Sequence, residues 1–101
     1  MDACKDLASM IQVLTAAITI QEKEASFFRF SAEMAESKVA RSLLLEMADD
    51  FAHHSEILEE RKRRLQKIMQ ELRKMNLDVC GIDEREFVDL VSDNEIKIAK
   101  N

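Results

Sequence analysis

The chain has no proline, no tryptophan and no tyrosine, and its single glycine is Gly81. Without proline and glycine a loop-rich or collagen-like fold has no material. Without the larger aromatics a β-sandwich core lacks its usual filling. Cysteine is almost absent as well: Cys4 and Cys80 stand far apart with no CxxC partner. Two such thiols read as reduced cysteines, not as a disulfide framework. No basic segment followed by an apolar run and a cleavage site opens the chain. The apolar stretch from Met10 to Ile20 is interrupted by Gln12 and two threonines and falls short of the ~20 residues that span a bilayer. The expectation is a cytoplasmic chain that does not insert in membranes. An excess of positive charge is missing too. Twenty acidic residues against fifteen Lys and Arg leave a formal charge of −5, the wrong sign for a nucleic-acid partner.

What remains is helix. Ala, Leu, Met, Glu, Lys and Arg dominate the 101 residues, which suffice for one domain. Apolar residues recur in steps of four and three at Leu7, Ile11, Leu14, Ile18, Gln21, Ala25, Phe28, Ala32 and Ala35, the seam of a packed helix. A second stripe runs beside it through Met10, Val13, Ala17, Ile20, Glu24, Phe27, Ser31 and Met34. The pattern breaks at Glu36-Ser37-Lys38. It resumes at Ala40, Leu44, Met47, Phe51, His54, Leu58, Arg61, Leu65, Ile68, Leu72 and Met75, with Asn76 a candidate C-cap. Asp83 and Glu86 have capping-box spacing before Phe87, Leu90 and Val91.

This predicts one all-α domain over residues 1–101, with helices at about 6–36, 39–75 and 83–99. The short connection makes the long pair an antiparallel hairpin. Two wide apolar faces cannot bury each other alone, so the simplest closed arrangement is a homodimer or higher even oligomer forming a four-helix bundle.

Polar residues interrupt the seams at Gln21, Glu24, His54 and Arg61. Counted from a reversal at Ser37, Gln21 comes level with His54, and Glu24 with Asp50. Asp50 and His54 are also one helical turn apart. Carboxylates neutralise and ligate hard metal ions, and imidazole adds a neutral donor, so a shared Glu24, Asp50, His54 and Gln21 layer is a candidate iron or manganese site. The structural alternative is a Gln–His pair that fixes register and oligomeric state, as buried polar residues do in coiled coils. The run Glu59-Glu60-Arg61-Lys62-Arg63-Arg64 reads as a salt-bridged, solvated helix face, with acid and base four residues apart. His53 is expected to face solvent.

The stretch Ala17-Ile18-Thr19-Ile20-Gln21-Glu22-Lys23-Glu24-Ala25-Ser26-Phe27-Phe28 resembles the first helix of rubrerythrin-type ferritin-like domains. Met47-Ala48-Asp49-Asp50-Phe51-Ala52-His53-His54-Ser55-Glu56-Ile57-Leu58 resembles their second. The likeness covers roughly residues 10 to 60, and the half-bundle plan is also similar to that of encapsulated ferritins. It implies a ferritin-like bundle in which a first-helix glutamate and an E-x-x-H pair from the second helix hold a di-iron centre for peroxide reduction or ferrous-iron oxidation. By position that first-helix glutamate falls on Gln21. The E-x-x-H pair falls on Phe51 and His54, and a tyrosine of the family on Phe28. Of the three ligands His54 alone is kept.

Three functions follow. One is a ferritin-like bundle with a decayed di-iron site and an oligomeric structural or binding role. The second is a metal-dependent peroxide reductase or ferroxidase with a site shifted to Glu24, Asp50 and His54. The third is an adaptor that docks a partner protein on helix 2 beyond Leu58.

Overall fold

A computed structural model describes residues 3–75 and 84–92. Three helices form: α1, Ala3–Met34; α2, Lys38–Lys74; and α3, Glu84–Val91. No strand occurs among the described residues. The two long helices pack antiparallel, and the break expected at 36–38 is where α1 gives way to α2. Asn76, Asp83 and the stretch 93–99 expected in the third helix lie outside the described residues.

The reversal is built by hydrogen bonds local to the connection. Ser37 Oγ accepts the Ala40 N–H at 2.9 Å, the N-cap bond of α2. The Arg41 guanidinium donates to the Ala35 carbonyl at 3.1 Å, satisfying an acceptor left over at the end of α1.

Burial follows a seven-residue repeat in both long helices. The buried positions of α1 are Ile11, Ile18, Ala25 and Ala32; those of α2 are Ala48, Ser55, Lys62 and Met69, with Gln66 buried outside the repeat. A sustained seven-residue spacing marks a coiled-coil seam. Every residue of the stripe from Leu7 to Ala35 is buried or half-buried, as its spacing requires. On α2 the expected stripe needs correction. Ala40, Leu44, Phe51, Leu58, Leu65 and Leu72 do face inward, whereas Met47, His54, Arg61, Ile68 and Met75 are exposed. The deep positions are one residue further along. There the side chains are alanine and serine, which let backbones approach, a lysine whose aliphatic stem can be buried, and the fully buried Met69.

The chain divides into two compact units, residues 1–13 with 61–101, and residues 14–60. In the first, Ile11, Met69 and Leu90 form the core, with Leu7, Ala8, Leu65, Phe87 and Val91 packed against it. Here α3 is tied to α2. The buried Gln66 amide donates to the Leu90 carbonyl at 2.7 Å. Arg73 pairs with Glu84 and lies 4.5 Å over the Phe87 ring. The third helix therefore packs on its own chain, covering Ile11 and Met69.

The second unit is a plain hairpin. Its buried layer is Ile18, Ala25, Ala32, Ala48 and Ser55, and the Phe28 and Phe51 rings stack at 5.4 Å between centroids. Within this unit the described residues form two helices and no third.

Candidate functional site

The two faces of the 14–60 hairpin differ in chemistry. One carries a shallow groove of about 270 Å³ lined by Glu22, Ala25, Ser26, Arg29, Ala52, Ser55, Glu56 and Glu59. Small residues open it and three carboxylates with one guanidinium surround it. The other face carries a row of rings. Phe27 lies edge-on to Phe28 at 5.5 Å, Phe28 stacks on Phe51, and Phe51 lies edge-on to His54 at 6.5 Å. This row crosses from α1 to α2, so Phe27 and His54 lie on the same side of the hairpin.

That side is apolar and open to solvent. Phe27 is 60% exposed, Ile20 57% and Met34 69% on α1; Leu43 is 54% and Met47 43% on α2. Six of the eight residues of the second stripe of α1, from Ala17 to Met34, belong to this surface within the unit.

The register of the hairpin follows from the ring stack. Phe28 is level with Phe51, and on the groove side Ala25 and Ser55 line one pocket, as do Arg29 and Ala52. Stepping one heptad away from Phe28 and Phe51 puts Gln21 level with Leu58. Glu24 falls within about two residues of the level of His54, or ~3 Å along the axis. This corrects the levels counted from Ser37, which paired Gln21 with His54 and Glu24 with Asp50. The first turn of α2, fixed by the Ser37 cap and the Arg41–Ala35 bond, is spent turning the chain, so the true reversal point lies several residues later.

The candidate ligands separate accordingly. Gln21 sits on the seam, half-buried, and its Oε1 is shielded from solvent with no hydrogen-bond partner. Glu24, Asp50 and His54 are all exposed. His53 is exposed as expected, with Nδ1 3.9 Å from a Glu56 carboxylate oxygen. The solvated reading of the 59–64 run holds for Glu60, Arg61, Arg63 and Arg64 but not for Lys62, which is only 5% exposed. Its place in the heptad, seven residues after Ser55, was the available signal.

Of the positions that the resemblance marks, Phe28, Phe51 and His54 do come together, as rings. Phe51 is held against Phe28 by stacking. Among the described residues no three His, Cys, Asp or Glu side chains are grouped to hold a metal ion. Among the described residues no helix is long and apolar enough to cross a membrane. No protein-family model matches this chain, and no curated protein or solved structure matches it either.

Proposed function

We propose that the chain is a self-associating structural or binding protein, a ferritin-like half-bundle whose di-iron site has decayed. Two hairpins pair through their ring-bearing faces to make a four-helix bundle. The observation that carries this is the open apolar face of the 14–60 hairpin, with Ile20, Phe27, Met34, Leu43 and Met47 each two-fifths or more exposed. Covering a half-exposed side chain of this size contributes roughly 1 kcal/mol, so ten of them across a twofold interface give on the order of 10 kcal/mol. Association itself costs about 4–15 kcal/mol, a sum of the same order as this gain. Sedimentation equilibrium tests it. The wild type runs as a dimer and Phe27→Glu, which sets a charge in the centre of the face, runs as a monomer with unchanged helicity. A monomeric wild type at tens of micromolar sinks the reading.

A second reading keeps metal chemistry, and the observation in its favour is that Glu24 and His54 come within about two residues of one level on one side of the hairpin. In a pair of hairpins two glutamates and two histidines approach, with Asp50 one turn from His54 and Gln21 one turn from Glu24. This set would hold iron or manganese as a redox centre for peroxide or ferrous iron. Elemental analysis of protein from iron- and manganese-supplemented cells separates the readings. About one metal per chain, lost in His54→Ala, supports the shifted site, and metal-free protein supports the structural bundle. The adaptor reading finds less: Ile68 and Met75, exposed on α2 beyond Leu58, stand two turns apart without forming a continuous strip.

A further inference from the structure

The open face also specifies how a second copy sits on it, an inference that rests on the self-association proposed above. Within the unit the flank of α1 on this face reads Ala17, Ile20, Glu24, Phe27, Ser31 and Met34. The flank of α2 reads Leu43, Met47, Asp50, His54 and Ile57. Each helix therefore brings ionisable groups to the middle of an apolar row, Glu24 on α1 and Asp50 with His54 on α2. The ring row fixes their relation: Glu24 is one turn before Phe27, His54 touches Phe51, and the two come to nearly one level.

Two twofold arrangements can bring such faces together. With the axis perpendicular to the helices, each α1 lies on the partner's α1 running the other way, and the two Glu24 carboxylates are drawn toward one another about the centre. With the axis parallel to the helices, each α1 lies on the partner's α2 and levels are kept. Glu24 of each copy then meets His54 of the other. Phe27 falls between the levels of Met47 and His54, and Ile20 lies near that of Ile57. Like charges facing across a desolvated contact oppose association, whereas an acid facing an imidazole can hydrogen-bond to it.

We infer that the chain forms a homodimer with its twofold axis parallel to the helices, in which α1 packs on the partner's α2 and two reciprocal Glu24–His54 contacts set the register. The occupant of the face is a second copy of this chain. Glu24 on one helix comes within about two residues of the level of His54 on the other, and Asp50 stands one turn further from Glu24 along α2, so the acid meets the imidazole and not the second carboxylate.

The test is a charge exchange between chains, using the full-length protein. In Glu24→Lys homodimers a lysine faces His54; in His54→Glu homodimers a glutamate faces Glu24. Both changes lie at exposed positions, so circular dichroism should show wild-type helicity. The dissociation constant should rise by about tenfold or more for His54→Glu and by less for Glu24→Lys. When the two variants are mixed, the introduced lysine of one chain faces the introduced glutamate of the other, and the native Glu24–His54 contact is kept on the second side. Native mass spectrometry should then show heterodimers well above the one-half expected for random pairing. A random mixture, with the wild type still dimeric, overturns the parallel-axis arrangement but leaves self-association standing, and so does a Glu24→Gln dimer tighter than wild type, the result expected where the two Glu24 carboxylates face each other. A monomeric wild type in the same experiment overturns the reading on which the arrangement rests.

Discussion

Gln21 is the residue where packing and polarity disagree most plainly. It occupies a seam position between Ile18 and Ala25, and its Oε1 is shielded without a partner. A buried carbonyl that gives up water and gains no hydrogen bond costs roughly 1–3 kcal/mol. Leucine has nearly the same reach and no such debt, and Leu58 at the same level offers an apolar neighbour. Gln21→Leu is therefore expected to stabilise the fold by about 1 kcal/mol, read as a higher urea midpoint at unchanged m. A lower midpoint would show that the amide is satisfied in the assembled protein and acts there as a register-setting polar group. Lys62 poses a related case, since a lysine 5% exposed on the seam keeps its stem packed while its ammonium needs partners, and it has an interaction of its own.

At the scale of elements, what could be read from the sequence was whatever large apolar side chains announce. The stripe of α1 was legible in full because Leu, Ile and Phe recur on it and its alanines fall in step. On α2 half of the seam was legible, through Leu44, Phe51, Leu58, Leu65 and Leu72. The other half was not, because Ala48, Ser55 and Lys62 do not look like core, and Met47 and His54 are more conspicuous one residue earlier. The levels of the candidate site were lost for a different reason. A count from the connection assumes that both helices start opposite each other, and the Ser37 cap spends the first turn of α2 on the reversal. That cap makes its own prediction. Ser37→Ala removes the acceptor of the Ala40 N–H and should cost about 1 kcal/mol in chemical denaturation. A cost near zero would mean that the Arg41–Ala35 bond alone holds the turn.

For the whole molecule the question is what an uncovered apolar face does to stability. In the 61–101 part α3 supplies cover, with Leu90 buried against Ile11 and Met69 and Gln66 bonded to its last turn. The described residues of the 14–60 hairpin include no third helix, and its deepest layer is mostly alanine and serine, which bury little area. A two-helix unit with so small a core is marginal by itself. If a second copy provides the missing cover, folding and association are linked, and stability depends on protomer concentration. The melting temperature of the wild type should then rise by several degrees between about 1 and 100 µM, because the folded state alone dimerises. Phe27→Glu should melt lower and show no such dependence. A wild-type midpoint that stays constant across that range would mean the hairpin is stable with its face wet, and the search for a function would pass from self-association to the groove on the opposite side.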